Sequence, residues 1–191
     1  RQHTFSYHAD RQVVQVRAAR VFRRDGRTDE TVVTGESPLN DPAINTYTLQ
    51  RCFHVQLPRL EPGDVVELRY RVDDVGAENE MGGNFAEVEA LQDTDPILES
   101  EYVLVTPAAM PIRLSSTPLP GLVTEDTVSG DRRIRRVLAK NVPAIEIEPD
   151  MPPLAEALAQ VHVSTFADWP EVGRWYWGLV KDQLDVDADL K

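Results

Sequence analysis

Apolar and polar residues alternate with the period of a β-strand in two neighbouring stretches, residues 52–57 and 65–72. A two-residue period places every second side chain on the same face, which is typical of half-buried strands. Between the stretches, Pro62 has a fixed φ and Gly63 tolerates a positive φ, as the central pair of a type II turn requires. The pattern therefore predicts two antiparallel strands that pair with each other across this turn.

The same alternation, interrupted by turn residues, recurs along most of the chain. Asp25-Gly26 predicts a hairpin between a strand over Val13–Phe22 and a return strand over Thr31–Thr34. Ser129-Gly130-Asp131 predicts a second hairpin. Its strands are 122–128 and 132–139. Further strands are predicted at 102–105, 112–116, 142–147 and 161–163, and residues 85–91 fit either a strand, the preferred interpretation, or one helical turn. Loops are predicted at 35–47 and 75–84.

Many short strands with 14 prolines and 10 glycines at their corners indicate an all-β architecture. The predicted fold class is mainly β, a large antiparallel β-sandwich with a C-terminal linking α-helix. Residues 1–166 form the predicted sandwich domain, and residues 167–191 form a capped amphipathic helix and tail. The first ten residues show little pattern and contribute no predicted strand.

The C-terminal segment has the signals of a helix start. Asp168 is a suitable N-cap, Pro170 lies in the first turn, and Glu171 stands three residues after the cap as in a capping box. The helix is predicted to run to about Leu184. Its apolar residues divide into a face expected to dock on the sandwich and a second flank with no evident partner, Trp177 with Leu184. The docking face consists of Trp169, Val172, Tyr176, Leu179 and Val180.

Composition narrows the class of protein. At 191 residues the chain is expected to hold one main domain, and its 41% hydrophobic content is too high for a disordered chain. No apolar run approaches the roughly 18 residues that a bilayer-crossing helix needs, so no membrane insertion is predicted. A net charge of −12 argues against nucleic-acid binding, and the two arginine-rich hairpins are predicted to be solvated strand faces. A start at Arg1, without Met or an apolar leader, is typical of a fragment.

The candidate chemical groups are few. Cys52 is the single cysteine, so it forms no internal disulfide and no thiolate metal site. His54 is predicted on the same face, about 6–7 Å away, too far for a nucleophile-base hydrogen bond without a bend. Cys52 is therefore predicted to pack, and His54 to lie at the rim. The acidic stretch Asp73, Asp74, Glu78, Asn79 and Glu80 offers oxygen ligands of the kind that calcium binds, but it lacks the spacing of a known calcium loop and is predicted to be solvated. The histidines at 3, 8 and 162 are too scattered to form a metal site, so no metal or cofactor is predicted.

Three segments taken in order carry a family resemblance. They are LPRLEPGDVVELRY within Phe53–Tyr70, EPDMPP at residues 148–153, and Val163-Ser164-Thr165 leading to Trp169, Trp175 and Tyr176. This combination resembles the bacterial domain of unknown function that directly precedes a transglutaminase-like domain in exported multidomain proteins. The resemblance implies a β-sandwich whose last helix leads into a papain-like catalytic domain, and an envelope or periplasmic location.

The Cys, His and Asp constellation of a transglutaminase-like site is not found in this sequence, so no catalytic residue is carried over. The chain is expected to be a non-catalytic accessory domain that positions or regulates the downstream transglutaminase-like domain of the same polypeptide, by positioning, shielding or presenting substrate to it. A protein or cell-wall substrate is the further partner considered. The predicted interdomain contacts are Trp175, Trp177, Lys181 and Leu184. The alternative is a carbohydrate or cell-wall binding module that stacks sugars on the tryptophans and Tyr176. An enzyme in its own right lacks a credible nucleophile and base.

Overall fold

The computed structural model describes residues 2–30, 33–39, 49–76 and 81–183 of the chain. The described part is mainly β, with antiparallel strand pairs throughout and a longer helix near the C-terminal end. Packing divides the chain into two compact units, Arg1–Glu78 and Asn79–Lys191. The predicted boundary after residue 166 does not coincide with this division, because the C-terminal helix belongs to the second unit.

In the first unit, the described residues form two three-stranded sheets, with the strand orders β1-β5-β4 and β3-β2-β6. The strand β1 was not predicted, because its polar residues outnumber the apolar Phe5 and Tyr7. The strands are β1 Gln2–His8, β2 Gln12–Phe22, β3 Thr28–Glu30, β4 Val33–Pro38, β5 Gln50–Gln56 and β6 Val65–Asp74.

The predicted pairing of β5 with β6 is wrong, although both strands form where the alternation places them. β5 pairs with β1 and β4, whereas β6 pairs with β2 in the other sheet. The predicted turn also forms, with Gly63 at a φ of 94° and the Asp64 N–H donating to the Glu61 carbonyl at 3.1 Å. The segment between the strands therefore carries the chain from one sheet to the other.

One core is shared by side chains from the two sheets of the first unit. Phe53 and Val55 of β5 pack in the same cluster as Ala19 of β2, with Leu68 of β6 against it. The apolar faces of β5 and β6 are buried against each other from two different sheets, and the alternating pattern fits this arrangement as well as it fits a hairpin. The pattern indicates which face of a strand is buried, but it does not indicate which strand is the hydrogen-bonded partner.

The hairpin predicted at Asp25-Gly26 is confirmed. Phe22 is paired with Thr28, and Gly26 takes a φ of 87° while its N–H donates to the Arg23 carbonyl at 3.0 Å. The return strand is β3, which begins before the predicted Thr31. Residues 31 and 32 lie outside the described part, and residues 33–38 form β4, although residues 35–38 were predicted as loop.

In the second unit, the described residues form two more three-stranded sheets, ordered β10-β11-β8 and β7-β12-β9. Leu91, Val137, Val161 and Val163 make up the buried cluster of its core. The strands are β7 Ala86–Ala90, β8 Ile97–Pro107, β9 Arg113–Ser116, β10 Val123–Ser129, β11 Arg132–Val142 and β12 Gln160–Ser164.

The predicted hairpin between residues 122–128 and 132–139 is confirmed as β10 and β11, with Gly130 at a φ of 62° in the turn. The strand predicted over 142–147 is wrong beyond Val142, where β11 ends. Asn141 already takes a φ of 51°, and Pro143 lacks the N–H that a strand ladder needs.

The second unit also contains the helices, α1 Leu154–Ala157 and α2 Trp169–Val180, which is followed by a 3₁₀ turn Lys181–Gln183. The predicted N-cap is confirmed, because the Asp168 carboxylate accepts from the Glu171 N–H at 2.8 Å. The Glu171 carboxylate accepts in turn from the N–H of Ala167, one residue before the cap, at 2.6 Å. In the part of the chain described, no helix has both the length and the apolar character to cross a bilayer.

Candidate functional site on the C-terminal helix

The contact between Trp175 and Phe166 links α2 to the residues that follow β12. The two ring centroids lie 5.8 Å apart with their planes tilted by 54°. Phe166 is buried, and Trp175 is half-buried. Trp175 therefore marks the inward side of the helix, and its indole is occupied within its own unit.

The face predicted to dock on the sheets is largely exposed. Trp169 is 85% exposed, Tyr176 59% and Leu179 49%, while Val172 and Val180 are half-buried. The prediction that Trp169, Tyr176 and Leu179 pack inward is therefore wrong. A 3.6-residue period identifies which residues share a face, but the Trp175 contact determines which face is inward.

The exposed aromatic residues form a stripe with a gap at its centre. Trp169, Gly173 and Trp177 are spaced four residues apart, so they follow one another along one side of α2, with Tyr176 beside them. In the described part of the chain, no neighbouring atom lies within 4 Å of where a Cβ would stand on Gly173. We call Trp169, Gly173, Tyr176 and Trp177 the aromatic stripe. Because Gly173 has no side chain, an aromatic ring, a sugar ring or a peptide segment of a partner can approach the helix closely between the two indoles.

The four predicted interdomain residues have different positions. Trp177 is 57% exposed and lies in the aromatic stripe, whereas Trp175 faces inward against Phe166. Lys181 is exposed one turn after Trp177, and its N–H donates to the Trp177 carbonyl as the helix ends. Leu184 lies outside the described residues. Sequence reasoning missed Gly173, whose signal is a helix-breaking residue placed midway between two tryptophans.

His54 is held by the two strands that flank β5. Its Nδ1 lies 3.0 Å from the Thr4 hydroxyl and 2.7 Å from the Gln2 amide nitrogen on β1. Its Nε2 lies 2.7 Å from the Ser37 hydroxyl on β4. The ring thus joins three strands through neutral groups, and Cys52 is a free, half-buried thiol. A serine and a histidine at this distance can act as nucleophile and base, but here no carboxylate is among the ring's partners to orient it.

The acids considered for calcium have other partners where they are described. Asp73 forms an ion pair with Arg71 at 2.6 Å, and Asp74 accepts from the Gln12 amide at 2.9 Å. Residues 78–80 lie outside the described part. No group of three metal-ligating side chains occurs among the residues described.

A pair of carboxyl groups on β7 was missed by sequence reasoning. The strand register pairs Glu87 with Val163 and Glu89 with Val161, so both glutamates share the face of the buried valines. The Tyr102 hydroxyl donates to Glu87 at 2.7 Å. Burial, together with the negative charge and hydrogen bond of Glu87, raises the pKa of Glu89. Glu87 is half-buried and Glu89 is exposed. Because β7 is an edge strand, the two charges oppose pairing with another strand.

The arginine-rich hairpin of the second unit is an ion-pair surface, as predicted for a solvated strand face. Arg133 and Arg135 both contact Asp126, and Arg136 contacts Glu101. Arginines neutralised in this way leave little positive field for a phosphate backbone.

Comparison with known proteins gives a family and a fold. A family model for the domain of unknown function DUF3857, a family with a solved structure, matches residues 1–146. A solved structure from Parabacteroides distasonis, of a protein proposed to be a protease, aligns with a TM-score of 0.75 at 19% identity. The alignment covers 98% of this chain and 36% of that protein, so this chain spans about a third of its length. No curated protein matches the sequence.

Proposed function

This chain belongs to the DUF3857 family, and from that premise we propose that it is a non-catalytic accessory domain that positions or regulates a downstream transglutaminase-like domain. The partner domain supplies the cysteine nucleophile, and the two together take a protein or cell-wall substrate. The sequence resemblance described above supports this order of domains. The location that we propose, on the same resemblance, is the periplasm or envelope of a bacterium.

The observation that carries the proposal is the aromatic stripe. Trp and Tyr are enriched at protein interfaces because they bury a large apolar area and lose few rotamers. Trp169 and Trp177 expose 85% and 57% of their surface, and the helix beneath them is bare at Gly173. A partner that fills the position over Gly173 and covers both indoles buries this surface. Lys181, one turn after Trp177, places a positive charge at the end of the same surface.

Two further observations support an accessory role. The protein of the solved structure is longer than this chain, which matches 36% of it, as expected if the shared part is one module of a larger protein. His54, the histidine closest in sequence to the single cysteine, has its ring bonded to three neutral side chains that tie strands together. We also propose that the two sheets of the first unit face each other as a β-sandwich, since side chains of both form one core.

The alternative function is binding of carbohydrate or cell wall by the same residues. The specific observation that favours it is the gap between the indoles of Trp169 and Trp177, since sugar rings stack on exposed aromatic faces. The two functions differ in the partner that covers the stripe. Both leave the chain without catalytic activity of its own.

The test is to titrate this chain with the separately expressed transglutaminase-like domain of the same polypeptide, and in parallel with soluble cell-wall glycans. With the catalytic domain we expect a blue shift of tryptophan emission and a higher melting temperature, because a ligand that binds only the folded state stabilises it. The Trp177→Ala variant should weaken binding at least about tenfold, as interface tryptophans commonly do.

Leu98→Ala is the matched control, since Leu98 is 83% exposed on β8 and lies outside the stripe. It should bind like the parent chain. A response to glycans that Trp177→Ala removes, with none to the catalytic domain, would replace the docking function with the alternative. No response to either partner would overturn both.

A further inference from the structure

The outer face of the sheet β7-β12-β9 is divided into an apolar and a polar side. Residues that share a row face the same way, and the strand register gives the rows Ala86–Ser164–Arg113 and Val88–His162–Ser115. This face is opposite to that of the buried Val161 and Val163. The β7 edge of the outer face therefore presents small apolar side chains. The β12 and β9 side presents hydroxyls, an imidazole and a guanidinium.

A groove of about 560 Å³ lies along this face. Its volume is within the range of about 300–1,000 Å³ that is usual for small-molecule sites. The groove is lined by the residues of both rows, and Glu87 also contributes to it. The Glu87 carboxylate, however, accepts from Tyr102 on the inward side of the sheet, so it does not place a negative charge over the outer face.

Arg113 is available to a ligand. Most arginines in the sheets of this chain contact a carboxylate, as Arg133, Arg135 and Arg136 do. Within the described ranges, Arg113 has no carboxylate within ion-pair distance, and it is exposed. A free guanidinium beside His162, on a chain with a net charge of −12, is a local positive site on an acidic protein. Such a site selects for an anion.

We propose that this groove binds the C-terminal carboxylate of a short peptide with apolar side chains. Arg113 takes the carboxylate through two parallel N–H donors, the geometry that guanidinium groups favour. The hydroxyls of Ser115 and Ser164 flank it in the same two rows and supply further donors. The peptide chain then runs toward β7, where Ala86 and the exposed Val88 offer an apolar surface to its side chains.

The apolar side of the groove favours this ligand over an inorganic anion. A phosphate or sulfate ion would use Arg113 and the hydroxyls, and it would leave Val88, which is 54% exposed, uncovered. A peptide terminus covers both sides at once. The site lies on strands and does not involve the aromatic stripe, so it stands independently of the docking function proposed above.

The experiment is an NMR titration of the isotope-labelled whole chain with three probes: N-acetyl-Ala-Ala, its C-terminal amide, and inorganic phosphate. We expect saturable shifts of backbone amides in β7, β9 and β12 with the free carboxylate. Removing the charge from the peptide should weaken binding at least about tenfold, since hydrogen bonds between charged groups are among the stronger ones.

Arg113→Gln should weaken binding of N-acetyl-Ala-Ala to the level of the amide, and Arg113→Lys should fall between, because it keeps the charge and loses the paired donors. Arg132→Gln is the control, since Arg132 is exposed at the start of β11 outside the groove. An unchanged amide spectrum outside the groove shows that each variant is folded. The proposal is overturned if no saturable shift occurs, if the amide binds equally well, or if phosphate binds as tightly as the peptide.

Discussion

At the scale of single residues, Arg23 is the side chain that fastens the connection between the two sheets of the first unit. Its guanidinium contacts the carboxylates of Asp29 and Asp64, each at 2.6 Å, and donates to the Arg59 carbonyl at 2.8 Å. The Asp64 carboxylate also accepts from the Glu61 N–H at 2.8 Å. The turn at Gly63 is thereby held against the β2–β3 hairpin.

We predict that Arg23→Ala lowers the thermal midpoint of the chain more than Arg27→Ala does. Asp64 loses its counter-charge in the first variant, whereas the Arg27–Asp25 pair is exposed on both sides and contributes little. Differential scanning calorimetry of the two variants measures the difference.

The backbone hydrogen bond from Glu61, and then Arg23, lower the pKa of Asp64. The stability that the ionised Asp64 contributes is therefore present above the unfolded pKa, and it is lost as the pH falls through the folded value. Equal midpoints at pH 7 would contradict the role assigned to Arg23.

The glutamate pair on β7 has the opposite pH dependence. The pKa of Glu89 is raised in the folded chain, so the folded state binds this proton more tightly than the unfolded state does. The stability that this proton provides is fully present below the unfolded pKa, and it is lost as the pH rises through the folded value. At neutral pH, Glu89 and Glu87 repel each other next to Tyr102.

Glu89→Gln is therefore expected to raise the melting temperature at pH 7 and to flatten its rise between pH 7 and pH 5. Glu99→Gln is the control, because Glu99 is an exposed partner of Lys140 at 3.4 Å and removing its charge relieves no such repulsion. Melting curves of both variants across this pH range test the expectation. A Glu89→Gln variant that melts like the parent chain at every pH would show that the pair carries no strain.

At the scale of elements, the secondary structure of each segment is easier to predict from the sequence than the identity of its pairing partner. The β5 and β6 strands, the Pro62-Gly63 turn and the cap at Asp168 depend on neighbouring residues, and all are found. The pairing of β5 depends on β1, which is about fifty residues away and has only two apolar side chains to indicate it. The inward side of α2 was mispredicted for the same reason, since it depends on the ring of Phe166.

The candidate sites show the same difference between features that depend on neighbouring residues and features that depend on distant ones. The tryptophans of the aromatic stripe could be identified from composition and period, but their exposure could not. The groove beside Arg113 could not be predicted at all, because β7, β9 and β12 come from three distant parts of the chain. Only their register places Ser115, His162 and Val88 in one row.

A substitution at Gly173 is expected to have opposite effects on the stability of α2 and on the proposed docking of the partner domain. A glycine inside a helix costs about 1 kcal/mol relative to alanine, and the structure offers no steric reason for it, since a Cβ there meets nothing within 4 Å in the described part. We predict that Gly173→Ala stabilises the chain by up to about 1 kcal/mol. The same change should weaken binding of the transglutaminase-like domain, because a methyl group then fills the gap between Trp169 and Trp177.

Urea denaturation and the binding titration measure the two effects on one variant. Gly178→Ala is the matched control, since Gly178 lies on α2 with equally open surroundings and outside the aromatic stripe. It should gain stability and keep its affinity. If Gly173→Ala gains stability and binds as tightly as the parent chain, the partner does not approach the helix at this position.

At the scale of the whole molecule, the region matched by the family model does not coincide with either compact unit. The matched region, residues 1–146, crosses the division between the two compact units and ends before β12. Yet β12 is the central strand of its sheet, and its Val161 and Val163 belong to the core of the second unit. The second unit is therefore complete only when residues beyond the matched region are included.

This organisation predicts that damage to one core is confined to its own unit. Leu91→Ala removes a side chain that is 2% exposed and should cost about 2–5 kcal/mol, as large-to-small core substitutions do. In native-state hydrogen exchange, we expect faster exchange in residues 81–183 and unchanged exchange in residues 2–76. Val55→Ala, in the first core, should give the reverse pattern. Faster exchange throughout the chain in either variant would mean that the two units unfold together as one cooperative body. In that case, the two units distinguished by packing would not be independently stable.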